Sequence, residues 1–264
     1  MKRISINHIM KRKGADPLVM VTCYDATFAR LVERGGADLI LVGDSLGMVI
    51  QGHEHTLPVT LDEVIYHARA VARGCDRPHL VGDMPFGTYQ ISPEEALKNA
   101  TRLMQEGRVQ SVKLEGGVAV APSVSRIVEA GIPVMGHLGL TPQSVHQLGG
   151  YRIQGRSDEA AEKLLCDAHA LEQAGAFAVV LEGIPAPLAD RVTQALSIPT
   201  IGIGAGPACD GQVLVLYDLL GIYPQKSPKF SKNFLDGAGS VSGAVQAFIE
   251  EVRSGQFPGS EHSF

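Results

Sequence analysis

Short apolar runs alternate with longer segments of helical periodicity along the chain. The runs are rich in Val, Ile and Leu and are typical of strands buried on both faces of a parallel sheet. The last run is ambiguous, because its residues VLVLYDLLG (213–221) also fit a helix. The strand candidates are LVMVTCYD (18–25), DLILVGDS (38–45), HLVGDMPF (79–86), SVKLEGG (111–117), IPVMGHLG (132–139), FAVVLEGI (177–184), PTIGIGAG (199–206) and GQVLVLYD (211–218).

Helices are predicted between the runs, in segments that place apolar residues on one face. Ser92 before Pro93 is typical of an N-cap followed by proline at the first helical position. Glycines at the ends of four helices are expected in the left-handed conformation: Gly74, Gly107, Gly131 and Gly175. The predicted helices cover 26–35, 60–74, 93–107, 119–130, 157–175, 187–196 and, after the last strand, 239–253.

The alternation of eight strands with helices, without a low-complexity linker, predicts one α/β domain over residues 1–264. Its expected fold is an eight-fold (β/α) barrel of the TIM type. A doubly wound sheet is the alternative, but it usually has an early glycine-rich turn, and TCYDATFAR (22–30) is not one. The segment 1–14 suits a short surface helix before the barrel, and FPGSEHSF (257–264) a tail after the last helix.

Composition narrows the setting and the partners. The net charge of −5 gives no support for nucleic acid or an anionic membrane as a partner. No run of about 18 apolar residues is present, and the N-terminus lacks the apolar core of a signal peptide. The cysteines are scattered without CxxC pairing, which argues against a zinc site and a disulfide framework. A cytoplasmic protein is therefore expected.

Acidic residues lie near the C-terminal ends of four apolar runs. In a (β/α) barrel these ends surround one mouth, where the active site lies, so the four side chains are expected to converge. The alternative is that each of them caps a helix or forms an ion pair by itself. The four residues are Asp44, Asp83, Glu115 and Glu182.

The residue types suggest a magnesium site. Asp44, Asp83 and Glu115 offer hard oxygen ligands, and Mg²⁺ leaves positions for a chelating substrate such as an α-keto acid. Lys113 lies two residues before Glu115 and shares its face of the strand. It can stabilise an enolate or pair with Glu115. Ser45 can bind a substrate carboxylate or cap the following turn.

Further candidates are less specific. The apolar neighbours of Glu182 predict burial, an environment that suits a general base, with a structural role as the alternative. His137 can donate to a substrate oxygen or serve packing. The glycines of IGIGAG (201–206) are better explained by close approach of a planar ligand or tight packing than by phosphate binding. PKFSKNF (228–234) fits a surface loop better than a contact for an anionic cosubstrate.

Several long segments resemble the ketopantoate hydroxymethyltransferase family, also called 3-methyl-2-oxobutanoate hydroxymethyltransferase. The resemblance runs in order from about residue 18 to the C-terminus. Only VAVAPSVS (118–125) departs from the more acidic or aromatic sequence expected there. The segments are LVGDSLGMVIQGHEHTLPVTLDEVIYHARAVARG (41–74), VGDMPFGTY (81–89), VKLEGG (112–117), GHLGLTPQSVHQLGGYRIQGR (136–156), IPTIGIGAGPACDGQVLVLYDLLG (198–221), PKFSKNF and FPGSEHSF.

The resemblance implies a barrel of the phosphoenolpyruvate/pyruvate-binding type, assembled as a cytoplasmic homo-oligomer, commonly a decamer. It implies transfer of a one-carbon unit from methylene tetrahydrofolate to α-ketoisovalerate, through a Mg²⁺-stabilised enolate, to give ketopantoate for pantothenate biosynthesis. One Mg²⁺ is implied for each subunit. By motif, Glu182 is the general base, the metal carboxylates are Asp44, Asp83 and Glu115, and the keto-acid contacts are Asp44, Ser45, Asp83, Lys113 and His137.

Without the resemblance, the same residues fit two other kinds of protein. One is a lyase or mutase that also forms a magnesium-bound pyruvyl enolate. The other is a non-catalytic barrel that binds a metal. A buried acid such as Glu182 without a partner is costly unless it is used, which argues against the non-catalytic barrel.

Overall fold

The computed structural model describes residues 3–224 and 227–264, and its centre is a closed barrel of parallel strands. Each strand pairs with the next, and Leu18 of the first pairs with Gly211 of the last. This closure confirms the predicted barrel and rules out the doubly wound sheet, whose edge strands stay unpaired. The strands are β1 Leu18–Thr22, β2 Leu39–Val42, β3 His79–Asp83, β4 Ser111–Glu115, β5 Val134–Gly139, β6 Ala178–Glu182, β7 Thr200–Ile203 and β8 Gly211–Leu214.

Helices surround the barrel, and all the predicted ones are present. The structure adds one-turn helices in the loops after β2, β5 and β8, which are too short to show periodicity in the sequence. The α-helices are α1 Ile6–Met10, α2 Ala26–Gly35, α3 Leu46–Val49, α4 Leu61–Gly74, α5 Pro93–Gly107, α6 Ala121–Glu129, α7 Val145–Leu148, α8 Asp158–Gln173, α9 Ala186–Ala195, α10 Leu216–Leu219 and α11 Val241–Arg253. Helices of the 3₁₀ type cover Val118–Val120, Pro142–Ser144 and Ser260–His262.

Two of the four predicted left-handed glycines are confirmed. Gly131 and Gly175 have φ angles of 86° and 92°. The prediction is wrong for Gly74 and Gly107, which are the last residues of α4 and α5 themselves. After α5 the left-handed residue is Arg108, with φ of 62°.

Alternate residues of each strand separate two cores. Side chains such as Met20 and Val180 point into the barrel, whereas Val21 and Val179 pack outward against the helices. Ile9 of α1 is fully buried in the inner core, so the N-terminal segment covers the floor of the barrel instead of lying on its surface. The inner positions near the C-terminal ends of β3 to β6 are polar, and they form the site described below.

Candidate active site

The predicted site residues converge on one cavity of about 510 Å³ at the C-terminal mouth of the barrel. The strand register places them side by side: Asp83 is opposite Lys113, Glu115 is opposite His137, and Gly139 is opposite Glu182. Asp44, two residues beyond β2, completes the group. The acids therefore share one mouth, as the barrel predicted.

Asp44 and Asp83 lie against each other. The backbone N–H of Asp44 donates to Oδ2 of Asp83 at 3.2 Å. Burial raises the pKa of Asp44 well above its usual value, and the charges of Asp83 and Glu115 add to the increase. Burial also raises the pKa of Asp83, although the Lys113 ammonium opposes it. Crowded carboxyl groups of this kind favour binding of a cation, which keeps them ionised.

Gln143, in the loop after β5, connects the acidic residues. Its Nε2 donates to Oδ2 of Asp44 at 2.8 Å, and its backbone N–H donates to Oε2 of Glu115 at 3.0 Å. The Tyr89 hydroxyl donates to Oε1 of Gln143 at 2.6 Å and accepts the N–H of Glu115 at 3.1 Å. These bonds fix the positions of two carboxylates from different strands.

Lys113 pairs with a different acid from the one that the sequence suggested. Its Nζ lies 2.9 Å from Oδ1 of Asp83, so the expected alternative of an ion pair with Glu115 is wrong. The cause is the register, which puts Asp83 directly opposite Lys113 on the neighbouring strand. Burial disfavours the ammonium, but Asp83, Glu115 and Asp44 outweigh that penalty and raise the pKa of Lys113.

His137 lies between two carboxylates. Its Nδ1 is 3.4 Å from Oε1 of Glu115, and its Nε2 is 3.2 Å from Oε2 of Glu182, an ion-pair contact outside hydrogen-bond geometry. Burial and Lys113 lower the pKa of His137, but the two carboxylates outweigh them and raise it to about 9. Burial likewise raises the pKa of Glu115, yet His137, Lys113 and the Gln143 N–H together bring it below its usual value.

Glu182 is less enclosed than its apolar neighbours in the sequence suggested. Its side chain is 15% exposed, whereas those of Glu115 and His137 are 3% and 4% exposed. The exposed part faces the cavity, which Glu182 lines together with Ile203 and Val213. Glu182 is therefore open to a ligand in the cavity.

Ser45 does not cap the helix that follows it. No capping bond forms at the start of α3, and Oγ of Ser45 lies 2.9 Å from the Tyr24 hydroxyl instead. That hydroxyl donates its one proton to Oγ1 of Thr22 at 2.9 Å, so Ser45 is the donor to Tyr24 at the end of a short chain of hydroxyl groups. Ser45 also lines the cavity, and its contact with a substrate stays a prediction.

The oxygen atoms of Asp44 and Asp83 suit a hard divalent cation. Oδ1 of Asp83 is held by its ion pair with Lys113, and Oδ2 accepts the N–H of Asp44, so the position of this carboxylate is fixed. No group of three His, Cys, Asp or Glu side chains within 3–224 and 227–264 is arranged to hold a metal by itself. Mg²⁺ needs only one or two carboxylates, because water and substrate complete its ligands. The carboxylates of Asp44 and Asp83 therefore fit Mg²⁺ as a donor set.

Two segments near the C-terminus contribute side chains to the lining of the cavity. Residues 228–234 form a loop in which Lys229 and Asn233 are exposed, as predicted. The loop also brings Phe230 and Lys229 to the lining of the cavity and buries Phe234. The C-terminal residue Phe264 also lines the cavity, and its carbonyl accepts the N–H of Ala186 at 2.9 Å. The sequence gives no sign of these contacts, because they join segments far apart in the chain.

Solved structures that resemble this chain share its barrel at low sequence identity. A putative phosphonomutase from Burkholderia cenocepacia has a TM-score of 0.64 at 17% identity, covering 80% of this chain and 91% of its own. Phosphonopyruvate hydrolase, solved with oxalate and Mg²⁺, has a TM-score of 0.61 at 12% identity, covering 98% and 93%. Another neighbour, 2,3-dimethylmalate lyase, is titled a member of the PEP mutase/isocitrate lyase superfamily. These likenesses confirm the predicted eight-fold (β/α) barrel.

Sequence comparisons are more specific. Proteins from Magnetococcus marinus and from an Azoarcus species are each 58% identical, covering 100% and 94% of this chain and 98% and 91% of their own. Both are named 3-methyl-2-oxobutanoate hydroxymethyltransferase. A family model described as ketopantoate hydroxymethyltransferase matches residues 3–260. The chain therefore belongs to the ketopantoate hydroxymethyltransferase family, and its predicted class of enzyme, a hydroxymethyltransferase, is confirmed.

Proposed function

We propose that this protein combines α-ketoisovalerate, methylene tetrahydrofolate and water into ketopantoate and tetrahydrofolate, in pantothenate biosynthesis. The observation that carries the proposal is the convergence of three buried carboxylates, Lys113 and the more open Glu182 on one cavity. Carbon–carbon bond formation next to a ketone needs a group that polarises the ketone and a base that removes the neighbouring proton. The cavity holds candidates for both.

Asp44 and Asp83 are the proposed direct ligands of one Mg²⁺, with Glu115 contributing through water. When bound, Mg²⁺ would act as a Lewis acid on the carboxylate and ketone oxygens of the keto acid. Support comes from the crowding of Asp44, Asp83 and Glu115, three buried carboxyl groups whose mutual repulsion a cation would relieve. The neighbouring phosphonopyruvate hydrolase was solved with Mg²⁺ and oxalate, which presents adjacent oxygens as a keto acid does.

Three side chains are proposed to hold the keto acid. The Lys113 ammonium lies beside Asp83 and can neutralise negative charge that develops on the ketone oxygen. Ser45 lines the cavity and can turn its O–H from the Tyr24 hydroxyl to the substrate carboxylate. His137, whose raised pKa keeps it protonated near neutral pH, can donate to a substrate oxygen.

Glu182 is the proposed general base. Glu182 is the last residue of β6 and is open to the cavity. A keto acid bound to Asp44 and Asp83 through the metal would therefore have its branched carbon in the same cavity as Glu182. Glu182 would accept the single proton of that carbon on a carboxylate oxygen. The resulting enolate carbon then attacks the iminium methylene carbon of the cosubstrate, and the electron pair of the C=N π bond returns to nitrogen. Water replaces the remaining C–N bond to give the hydroxymethyl group, and the released nitrogen takes a proton to complete tetrahydrofolate.

Replacing the base by its amide separates binding from chemistry. In Glu182→Gln we expect exchange of the branched-carbon proton in D₂O, followed by NMR, to slow by at least about 100-fold. Calorimetric titration with α-ketoisovalerate and Mg²⁺ should still show binding, because the metal carboxylates are intact. Glu159→Gln, at an exposed position on α8, is the matched control. Wild-type exchange rates in Glu182→Gln would remove Glu182 from this role.

The proposed assembly is a cytoplasmic homo-oligomer, commonly a decamer in this family, of single barrel domains. Large apolar side chains that stay exposed in the loops after β3 and β4 support association; they are Phe86, Ile91 and Val118. None of the helices within 3–224 and 227–264 has the length and apolar character needed to cross a bilayer. Small molecules remain the proposed partners, with no role for nucleic acid or membrane.

A further inference from the structure

The side of the cavity away from the metal acids is an apolar wall built from β7, β8 and the C-terminal segments. Ile203, Val213 and Val215 line it together with the rings of Phe230 and Phe264. The backbone passes very close to these rings at Gly204. A Cβ at that position, where φ is +59°, would lie 2.9 Å from Phe230 and 3.0 Å from Phe264. An apolar wall with aromatic rings suits a flat ligand.

Asp218 is a carboxyl group in the lining of this cavity that the proposed chemistry does not use. It lies on α10, directly after β8, and is only 8% exposed. No residue within 3–224 and 227–264 donates a hydrogen bond to its side chain or forms a salt bridge with it. Burial, with a smaller contribution from Glu182, raises the pKa of Asp218 to about 6.

The other buried aspartates outside the acid group all have partners. Asp38 meets two arginines, Asp210 meets a lysine and backbone N–H groups, and Asp167 meets a lysine and a backbone N–H. A largely buried carboxyl group loses hydration without gaining donors, so it is unfavourable unless a ligand contributes them. Its placement in a ligand cavity indicates that the ligand supplies the donors.

A second polar atom in the same lining is also without a partner. The Tyr223 hydroxyl is buried and makes no hydrogen bond within the described residues. Buried hydroxyl groups are usually satisfied. Together with Asp218, it points to a flat ligand that carries several hydrogen-bonding groups on its edge.

We infer that Asp218 binds the 2-amino-4-oxopyrimidine edge of the reduced pterin of the cosubstrate, an inference that rests on the proposed function. That edge presents two parallel N–H donors, on the ring nitrogen and on the exocyclic amino group. A carboxylate accepts two parallel donors in the same way as it accepts the two N–H groups of an arginine. The pterin ring would lie along the apolar wall, with its methylene carbon directed toward Glu182.

Binding of tetrahydrofolate, and of a tetrahydropterin without the glutamate tail, to wild type and Asp218→Asn tests the inference. An asparagine of equal size offers a donor where an acceptor is needed, so both ligands should bind about 30-fold more weakly. Calorimetry of α-ketoisovalerate with Mg²⁺ should give the wild-type affinity. Asp190→Asn, exposed on α9, is the matched control.

Weaker binding of tetrahydrofolate alone would overturn the inference, because it would place Asp218 at the tail. Unchanged binding of both ligands would overturn it as well. If the wild type makes ketopantoate and Asp218→Asn binds the pterin normally, only this inference is refuted. If the wild type has no activity, the proposed function is refuted. A second measurement needs no variant: wild type should bind a 2-desamino-tetrahydropterin about 30-fold more weakly than the tetrahydropterin.

Discussion

At the scale of single residues, hydrogen bonds from Gln143 hold the carboxylates of Asp44 and Glu115 at the mouth of the barrel. Asp83 and Glu115 are identified by their place at the end of apolar runs, and period-two alternation puts Lys113 on the same face as Glu115. Gln143 and Tyr89 were missed, because a glutamine in a loop and a tyrosine beyond a strand carry no signal of their own. Their importance lies in hydrogen bonds to residues that are distant in sequence.

Replacement of Gln143 should weaken binding of the metal. Replacing it by leucine leaves Oδ2 of Asp44 without its donor and removes the acceptor of the Tyr89 hydroxyl. Partners of metal ligands typically contribute 10- to 100-fold to affinity, so Gln143→Leu should bind Mg²⁺ about 30-fold more weakly. Titration with Mn²⁺, used as a spectroscopic substitute for Mg²⁺ and followed by electron paramagnetic resonance, measures the change in metal affinity. Equal Mn²⁺ affinity in Gln143→Leu and in the surface control Gln194→Leu would contradict the expectation.

At the scale of elements, local signals fixed where helices begin more reliably than how they end. Ser92 accepts the N–H of Glu95 at 3.2 Å, and Pro93 follows as the first helical residue, as predicted. Gly74, in contrast, is a glycine for reasons of packing. A Cβ there would lie 2.3 Å from the carbonyl oxygen of Ala26 in α2. Local sequence cannot reveal a helix that passes this close.

Gly74 and Gly107 form a matched pair for a stability measurement, since each ends a helix with ordinary φ. Alanine at position 74 would push α4 away from the backbone of α2, so we expect Gly74→Ala to lower the free energy of unfolding by about 2 kcal/mol. A Cβ at position 107 would meet side-chain atoms at 3.3 Å and no backbone atom nearer than 3.9 Å. Gly107→Ala also gains helix propensity, so its effect should lie within about 1 kcal/mol of zero. Urea unfolding measures both. Similar losses in the two variants would show that contact with α2 is not the cause.

The last apolar run, which fitted either a strand or a helix, contains one of each. Gly211–Leu214 forms β8, and Leu216–Leu219 forms α10 after a single intervening residue. A run of apolar residues carries no period that separates a short strand from a short helix. The division was decided by pairing with β1 and by the hydrogen bond from the Leu216 N–H to Oγ1 of Thr22, at 2.9 Å.

At the scale of the whole molecule, the barrel has a polar mouth and a sealed floor. His79 lies at the floor, where Nδ1 donates to the carbonyl of Ile4 at 3.0 Å and Nε2 lies 2.9 Å from Oγ of Ser111. Burial lowers the pKa of His79 from 6.5 to about 4. The folded protein therefore holds this ring neutral under conditions in which the unfolded chain protonates it.

This burial predicts acid sensitivity of the fold. His79 binds its proton near pH 6.5 in the unfolded chain but only near pH 4 in the folded protein. The stabilisation from neutral His79 is therefore fully present above pH 6.5, and it is lost as the pH falls from 6.5 to about 4. The contribution from His79 should be about 2 kcal/mol lost between pH 7 and pH 5. Urea unfolding at pH 7 and pH 5 measures the loss in free energy of unfolding. In His79→Gln that loss should be smaller by the contribution of His79. The exposed His169→Gln should keep the wild-type loss, and an equal loss in all three proteins would disprove the assignment.

The sequence by itself determined the barrel, its strands and the acids at its mouth, because hydrophobic periodicity and strand-end position are local properties of the chain. Its long family motifs also determined the class of enzyme. Tertiary structure decided that Lys113 pairs with Asp83, that Gln143 joins the acids, and that Asp218 and the C-terminal residues face the cavity. Those relations depend on the register between strands and on which distant segments meet at the mouth. Closure of the barrel sets both, and no local pattern encodes them.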